Sequence, residues 1–343
     1  MNKRYLSKNY KGLGSAGNKA KTDIEAILKE IGYRNVGLKQ SSHDNKIIGF
    51  LVTLLGVLKT PFSLRKGDIL VLQYPLKKYY ELVCNIAHMK GCKVVTIIHD
   101  LGSFRRGRLT IEQEIERLNH SDYIIAHNEA MAQWLQQHKT TAQIGCLQIF
   151  DYLSKDKAQF KETAPTPYSV VYAGALSSKK NAFLYELGNY MHSYRFNLYG
   201  GGFDASSAKN EELFTYKGFI PSDELITSAC GHFGLVWDGD STSTCSGTYG
   251  EYLQYNNPHK TSLYIRCLLP VIIWKKAALA PFIKENNIGI CIDSLENLDE
   301  VLSSVSQEEY ETMKKNIVTI SDRLSTGYYL THAVDEAYQY FKK

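Results

Sequence analysis

The residues that follow Pro258 combine the groups that bind phosphate. Proline favours the beginning of a helix over its interior, so a helix should begin between His259 and Ser262. Its first turn then carries Lys260, Thr261 and Ser262, which offer a cation and hydroxyls beside the unpaired amides and the positive end of the helix dipole. We interpret this turn as a diphosphate site. The alternative is an ordinary helix start in which Lys260 is solvated.

Other residues of the second half fit the remainder of a nucleotide diphosphate. Gly174 ends a predicted strand, where a small residue would admit the ligand, and Lys180 soon after it can reach phosphate. Backbone groups and an aromatic ring between Tyr216 and Phe219 could hold a flat base. The predicted donor site comprises Gly174, Lys180, Tyr216, Gly218, Phe219, Asn256, His259, Lys260, Thr261 and Ser262.

His99 and Asp100 directly follow residues 93–98, the most continuous apolar strand that the sequence predicts. In open parallel sheets ligands bind outside the carboxyl ends of the strands, so both side chains should face a ligand cleft. A carboxylate or an imidazole there can take the proton of an incoming hydroxyl. We predict Asp100 as the catalytic base and His99 as the second choice. The alternative is that Asp100 caps the next turn and His99 bonds to the backbone.

A glycine-rich run from Gly12 to Gly17 reads G-x-G-x-x-G between a predicted strand and a predicted helix. Such a run lets the backbone approach a pyrophosphate. A dinucleotide site also needs an acid about 20 residues later, and residues 37–40 contain none. The run is not a P-loop either, because Asn18 occupies the lysine position. A flexible loop that binds sugar or acceptor and a purely structural turn both remain open.

Asp238 and Asp240 form a D-x-D pattern, in which carboxylates can hold a divalent metal on a nucleotide sugar. The pattern follows an internal strand of a second α/β series, whereas that motif works in single-sheet enzymes. We therefore expect Asp238 to bind a sugar hydroxyl and we expect no metal ion. The residues assigned to sugar or acceptor binding are Gly14, Ser15, Gly17, Asn18, Asp238 and Glu251.

The elements that must position these residues alternate between strand and helix twice along the chain. Such alternation predicts an α/β protein with parallel sheets covered on both faces. We predict two Rossmann-like domains at 1–150 and 168–325 that face one cleft, a polar linker at 151–167, and a C-terminal helix at 326–343 that can return to the first domain. The pattern also predicts one helix at 181–191, a helix at 222–229 capped by Ser222, and continuous helix over 308–343.

Composition excludes several classes of protein. The 343 residues are 44% hydrophobic and 22% charged, which is typical of a globular chain. A net charge of +5 without long runs of like charge gives no sign of nucleic-acid binding. The seven cysteines lack C-x-x-C spacing and read as reduced thiols, and the start has no apolar signal segment, so we expect a cytoplasmic protein.

An apolar run at 47–58 lies between Lys46 and Lys59. It is too short for a bilayer span, which needs about 20 residues. We interpret it as a buried helix. The alternative is a helix that lies in an anionic membrane interface, which the basic, acid-free start of the chain at 1–22 would favour.

Several segments are similar to those of bacterial glycosyltransferases of the two-Rossmann (GT-B) type. The resemblance spans most of the chain and is carried above all by GLVWDGDS, GEYLQYNNPHKTSLYIRCLLPVIIW and FIKENNIGI, with support from GSAGNKAKTDIE, LVLQYP, IIHDL, VVYAGAL, LYGGG and YKGFIP. The group that it resembles most includes β-1,6-galactofuranosyltransferases and glucosyltransferases that act on GlcNAc of serine-rich adhesins.

The resemblance implies a GT-B fold, a UDP-sugar donor in the C-terminal domain, an acceptor on the N-terminal domain, no metal and often a homo-oligomer. It places Lys260, Asn256 and Lys180 at phosphate or ribose and residues 216–219 at the base. Many GT-B enzymes carry an acidic pair on the helix after the donor loop. Asn257 and Tyr264 stand there in this sequence, which puts a retaining mechanism built on that pair in doubt.

We therefore predict a glycosyltransferase that moves galactofuranose or glucose from UDP to a hydroxyl of a glycan or lipid-linked saccharide. We expect inversion, a role in the synthesis of surface polysaccharide or glycoconjugate, and peripheral contact with the inner face of the membrane. The alternative is a non-catalytic GT-B-like partner that binds a nucleotide sugar for another transferase. A nicotinamide oxidoreductase would need the acid that is absent after Leu38.

Overall fold

The computed structural model describes residues 1–10, 12, 16–105, 107, 109–159 and 167–343. The chain forms two compact units. Unit 1 comprises Met1–Asp151 and Thr326–Lys343, and unit 2 comprises Tyr152–Ser325. The C-terminal segment thus packs with the N-terminal part of the chain.

Unit 1 is built on a six-stranded sheet in which all neighbouring strands are parallel. The strands are β1 (Lys3–Tyr5), β2 (Arg34–Asn35), β3 (Ile69–Tyr74), β4 (Lys93–Ile98), β5 (Tyr123–Ala126) and β6 (Gln143–Cys146), in the order β2-β1-β3-β4-β5-β6. β3, β4 and β5 are almost entirely buried, as expected for strands covered on both faces.

Helices cover this sheet between successive strands. They are α1 (Ala16–Glu30), α2 (Lys46–Ser63), α3 (Tyr80–Met89), α4 (Gly102–Arg105), α5 (Ile111–Leu118) and α6 (Glu129–Gln137). Side chains cap the N-termini of three of these helices by hydrogen bonds to backbone amides. Asn45 caps α2, Asn128 caps α6, and Thr110 and Gln113 form a capping box on α5.

Unit 2 repeats this plan with a second six-stranded parallel sheet. The strands are β7 (Ser169–Ala175), β8 (Arg195–Gly201), β9 (Phe214–Tyr216), β10 (Phe233–Val236), β11 (Val271–Trp274) and β12 (Gly289–Ile292), in the order β12-β11-β10-β7-β8-β9. The helices are α7 (Ser178–Asn181), α8 (Phe183–Glu186), α9 (Ser222–Ser228), α10 (Gly247–Glu251), α11 (His259–Arg266), α12 (Ala280–Glu285), α13 (Leu298–Ser304) and α14 (Gln307–Ser325). The last helix, α15 (Tyr328–Tyr340), belongs to unit 1.

The predicted α/β fold with two parallel sheets is confirmed. Because the strands within each sheet are parallel, the residues that follow each strand lie at one carboxyl edge of that sheet. His99 and Asp100 follow β4 at the edge of the first sheet. Gly174 lies in the last residues of β7, and Asp238 comes soon after β10, at the edge of the second sheet.

Three predictions of helix structure are wrong. The predicted helix 181–191 is broken into α7, α8 and a 3-10 turn. Ser222 does not cap α9, because it is the first helical residue and Pro221 holds the cap position without a side-chain hydrogen bond. The helix predicted over 308–343 is interrupted at Gly327, whose φ of 73° is in the left-handed region that favours glycine.

The prediction that the apolar run at 47–58 is buried is also wrong. It forms most of α2, and only Gly56, Val57 and Thr60 of that helix are buried. Among the described helices, α2 alone has the length and composition that could cross a membrane, with a mean hydropathy of 1.4 and 17% of the helix buried. Its apolar residues follow the helical period, but most of them point away from the sheet.

Candidate active site

A lysine and an aspartate pair at the carboxyl edge of the second sheet. The Lys260 ammonium group donates to Asp238 Oδ1 at 2.8 Å, to the Tyr172 hydroxyl at 3.0 Å and to the Trp237 carbonyl at 3.4 Å. The Tyr172 hydroxyl in turn lies 3.0 Å from both Asp238 Oδ1 and the Trp237 carbonyl. Lys260 thereby joins the start of α11 to the ends of β7 and β10.

Burial and charge act in opposite directions on this pair. Burial alone raises the pKa of Asp238, but Lys260 and Lys180 outweigh it and hold that pKa below its ordinary value. Burial lowers the pKa of Lys260, with Asp238 opposing the shift. Burial and the Asp238 charge raise the pKa of Tyr172, so its hydroxyl stays protonated as a donor. The carboxylate is ionised and fixed in place.

Lys180 adds a second cation to the cluster of Lys260, Asp238 and Tyr172. Its ammonium group lies 4.0 Å from Asp238 Oδ1 and 5.4 Å from the centre of the Tyr249 ring. The Lys180 side chain is 28% exposed, against 13% for Lys260. Two lysines thus share one carboxylate, which leaves the cluster with one net positive charge for an anionic ligand.

The first turn of α11 lies where the sequence placed it. The helix begins at His259, with Pro258 at the cap position. Thr261 Oγ1 and Asn256 Oδ1 are buried and have no hydrogen-bond partner among the described residues. The His259 ring stacks on Tyr152 at 4.8 Å, and Ser262 is buried. The first turn of α11 therefore carries polar groups next to Lys260 in the chain, and groups of this kind can bind phosphate at a helix start.

The predicted base-binding residues gather at the ends of β7, β8 and β9. The Tyr216 hydroxyl donates to the Gly200 carbonyl at 3.0 Å, and the Gly200 amide donates to the Gly218 carbonyl at 2.8 Å. Phe219 is 72% exposed, and Gly174 is exposed with a φ of 147°. An open aromatic surface beside glycine backbone can accept a flat ring.

His99 is held firmly at the edge of the first sheet. Its Nε2 lies 2.6 Å from Gln73 Oε1, and its ring stacks on Phe150 at 5.6 Å. The Gln73 amide nitrogen donates to the Tyr10 hydroxyl and to the Lys21 carbonyl, both at 3.2 Å, which fixes the orientation of the amide. Gln73 Oε1 must therefore accept, so the proton of neutral His99 lies on Nε2.

This hydrogen-bonded chain ends on a buried carboxyl group. The Tyr10 hydroxyl donates to Glu25 Oε1 at 2.6 Å, and the Ser7 hydroxyl donates to Glu25 Oε2 at 2.7 Å. Burial raises the pKa of Glu25 to about 7 despite these donors. A relay of donors thus runs from His99 through Gln73 and Tyr10 to Glu25.

Asp100 lies half-buried beside a second histidine. His127 is buried, and its Nε2 lies 3.0 Å from the Ile98 carbonyl. Burial lowers the pKa of His127 to about 4, while the charge of Asp100 acts in the opposite direction. His127 is therefore neutral near pH 7.

Two family models match this chain. The model for the N-terminal domain of glucosyltransferase 3-like proteins matches residues 3–149, and the model for their C-terminal domain matches residues 170–337. The chain belongs to the glucosyltransferase 3-like family. These matches cover both sheets and the residues at both carboxyl edges.

Relatives of known activity extend along nearly the whole chain. The β-1,6-galactofuranosyltransferase WbbI of Escherichia coli K12 is 32% identical over 94% of each chain. Glucosyltransferase 3 of Streptococcus gordonii is 22% identical over 90% of each chain, and that of Streptococcus parasanguinis is 19% identical over 96%. This member of the family is therefore a glycosyltransferase that transfers hexosyl units.

Solved structures of low sequence identity share the fold. An α-glucosyltransferase solved with UDP and a DNA 13-mer is 12% identical, with a TM-score of 0.54 over the full length of both chains. A structure described as a UDP-N-acetylglucosamine 2-epimerase of Listeria monocytogenes is 10% identical, with a TM-score of 0.52 over 100% of this chain and 97% of the other. The GT-B fold expected for this glycosyltransferase is confirmed.

The two carboxylates of the D-x-D pattern, Asp238 and Asp240, do not lie together on one ligand site. Asp238 faces Lys260, whereas Asp240 is exposed and accepts from the Ser246 hydroxyl. Asn257 and Tyr264, which stand where many GT-B enzymes have acids, are buried. The Tyr264 hydroxyl accepts the Ala173 amide at 2.8 Å and so supports β7.

The residues assigned to sugar or acceptor binding are more scattered. Gly14 and Ser15 lie outside the described residues. Gly17 is exposed near the start of α1, and the Asn18 side chain donates to the Gly12 carbonyl at 3.3 Å. Glu251 is exposed at the end of α10 in unit 2. Among the described members of this group, Asp238 alone contacts Lys260.

Sequence reasoning missed Gln73, His127 and the role of Tyr172. Gln73 could have been found from the sequence, because it is a polar residue inside the otherwise apolar strand segment LVLQYP. His127 and Tyr172 resemble ordinary core residues in the sequence. Their contacts with the Ile98 carbonyl and with Lys260 depend on tertiary pairing of distant segments.

Proposed function

We propose that this glycosyltransferase takes its hexosyl unit, galactofuranose or glucose, from a UDP-sugar and transfers it with inversion to a hydroxyl of a glycan or lipid-linked saccharide. The observation that carries the donor assignment is the cluster of Lys260, Lys180 and Asp238, with its net positive charge beside the first turn of α11. The name of the Escherichia coli relative supports galactofuranose, and the names of the streptococcal relatives support glucose.

The Lys260 cluster would act on the departing UDP. When the bond to the anomeric carbon breaks, negative charge develops on the β-phosphate oxygen. Donors aimed at such an oxyanion contribute about 2.7–4 kcal/mol each in other enzymes, against about 0.3–1 kcal/mol for a helix dipole. Lys260 and Lys180 should therefore contribute more than the dipole of α11. Tyr216 and Phe219 would hold the uracil.

Lysine rather than a metal ion would neutralise the diphosphate. Asp238 is the only carboxylate among the described residues that contacts Lys260, and it is held by that lysine and Tyr172. We therefore expect turnover to be unchanged by a chelator. A loss of activity that Mg²⁺ or Mn²⁺ restores would contradict this part of the proposal.

The proton of the acceptor hydroxyl would pass to Asp100, with His99 as the second choice. Asp100 lies at the carboxyl edge of the first sheet, next to neutral His127, and His99 presents a fixed tautomer there. A base that deprotonates the acceptor as it attacks the anomeric carbon is what inversion needs. A β-link formed from an α-configured nucleotide sugar is an inversion.

The test is transfer from UDP-galactofuranose and from UDP-glucose to a set of saccharide acceptors, read as UDP release and as the anomeric configuration of the product by NMR. We expect one donor to give a product of opposite anomeric configuration. A product of retained configuration would contradict inversion. Tight UDP binding with no transfer to any acceptor would favour a non-catalytic partner of another transferase.

A further inference from the structure

The outer face of α2 is apolar over its whole length. Ile47, Leu51, Leu55, Leu58 and Phe62 recur every three or four residues and are between 48% and 91% exposed. At 100° per residue these five positions fall within an arc of about 80°. A surface helix ordinarily presents polar residues on this side. We call these five residues the α2 stripe.

The opposite face of α2 fixes the helix on unit 1. Gly56, Val57 and Thr60 are its buried residues, and a side-chain carbon at Gly56 would lie 3.4 Å from the Leu38 amide. α2 also forms the connection between β2 and β3 of one sheet. A helix so attached can dip one face into an interface, but lipid cannot surround it.

Cations border the α2 stripe. Lys46 is exposed at the first position of the helix, and Lys59 donates to the Gly37 carbonyl at 3.3 Å. The Lys78 ammonium group lies 4.6 Å from the centre of the Phe50 ring, beside the stripe. The helix itself contains no Asp or Glu. Asp44, just before the helix, accepts the Gly12 amide.

We propose that the α2 stripe and its bordering lysines dock unit 1 on the surface of an anionic lipid bilayer. Apolar side chains between lysines match the acyl boundary and the anionic headgroups of such a surface. A second copy of this chain packed on this face across a two-fold axis would bring the lysines that border the stripe towards the same set of lysines on the other copy. Charge complementarity therefore favours lipid over self-association at this face.

The docked surface would lie close to the proposed acceptor edge. The first turns of α2 are held at the carboxyl edge of the first sheet, where the Asn9 side chain donates to the His43 carbonyl at 2.9 Å and Phe50 lies 6.2 Å from Tyr79. Asp100 follows β4 at this edge. Docking would thus bring a lipid-linked acceptor to Asp100, a step that rests on the proposed function, although docking itself does not.

The test is co-sedimentation of the full chain with vesicles of phosphatidylcholine and phosphatidylglycerol at low salt. We expect binding that weakens at high salt and on vesicles of phosphatidylcholine alone. Leu51→Glu with Leu55→Glu should lower partitioning about tenfold or more. The matched control, Gln133→Glu with Gln137→Glu, adds the same charges at the same spacing on exposed positions of α6 and should bind as the wild type does.

Lys46→Glu with Lys78→Glu provides a second variant that leaves the α2 stripe intact, and it should remove most of the salt dependence. Wild-type protein that stays in the supernatant with anionic vesicles would overturn the proposal, as would unchanged binding of the Leu51 and Leu55 variant. Light scattering could instead show that the wild type is an oligomer and that Leu51→Glu with Leu55→Glu separates it into monomers. This face would then be an interface between copies of the chain, and the docking proposal would be overturned. None of these readouts uses transferase activity, so failure of docking is distinguishable from failure of the proposed function.

Discussion

The carboxyl edges of the two sheets are built on different electrostatic principles. In unit 2, two lysines share one ionised aspartate, and burial holds that pair rigidly around Tyr172. In unit 1, hydrogen bonds link His99 through Gln73 and Tyr10 to the Glu25 carboxyl group, whose pKa is near 7, and Asp100 lies half-buried at the same edge. The second edge is arranged to hold a charged ligand. The first is arranged to hold a group that accepts a proton.

The largest expected effect is on kcat, and it should arise from a substitution at the unit 1 edge that leaves the unit 2 edge unchanged. Asp100→Asn should lower kcat by about 10²–10⁴, because it removes the proposed base, and should leave UDP affinity unchanged. Steady-state kinetics and UDP titration check this result. Asp335→Asn, at an exposed position of α15 in the same unit, is the control. If Asp100→Asn retains turnover within about tenfold of the wild type, the role passes to His99.

A second substitution tests whether the unit 2 edge depends on its ion pair. Lys260→Met should reduce the free energy of unfolding by about 3 kcal/mol, since it leaves Asp238 buried without its nearest cation. Adding Asp238→Asn to that variant should restore much of the loss, because the neutral amide no longer needs a counter-charge. Chemical denaturation measures both. Equal stability of the single and double variants would mean that Lys180 alone satisfies Asp238.

Gln73 offers a finer test of the unit 1 edge. Gln73→Leu removes the acceptor that orients His99, so we expect kcat to fall about ten- to a hundredfold with little change in KM for the donor. Gln73→Glu restores an acceptor and should recover part of the activity. A loss in Gln73→Leu as large as that in Asp100→Asn would indicate that His99 is the base.

The last prediction concerns how stability depends on pH in unit 1. Burial raises the pKa of Asp151 to about 7, although the carboxylate accepts the Tyr329 and Leu330 amides at the start of α15. Because the folded protein binds this proton more tightly than the unfolded chain, stability should fall as pH rises from about 4 to 7, by at most about 1.4 kcal/mol per pH unit. Glu25 acts in the same direction over the same range.

Thermal unfolding at pH 6 and pH 8 checks this expectation. The wild type should be more stable at the lower pH, and Asp151→Asn, which keeps an acceptor oxygen but does not ionise, should show a smaller difference. His127, with its lowered pKa, opposes the trend only below its ordinary pKa of 6.5. An identical pH dependence in the variant would show that Asp151 does not bear a raised pKa.

The fold and the start of α11 could be predicted from local signals. The periodicity of apolar residues within each short segment predicts the strands and helices, and Pro258 just before Lys260 predicts where α11 begins. The exposure of α2 could not be predicted, because an apolar run has the same sequence pattern whether its side chains face a core or the surface. The partners of Lys260 and His99 also depend on strands that meet only in the folded sheet, such as Tyr172 with Asp238 and Gln73 with His99.

The most direct test of the central claim is calorimetric titration of UDP, with ADP and NADH as controls, on the wild type, Asp238→Asn and the Lys260→Met/Asp238→Asn double variant. The account predicts selective UDP binding that persists in Asp238→Asn, where the lysines remain, and weakens about tenfold or more in the double variant. Absence of UDP binding by the folded wild type, or equal affinity in the double variant, would contradict the donor site.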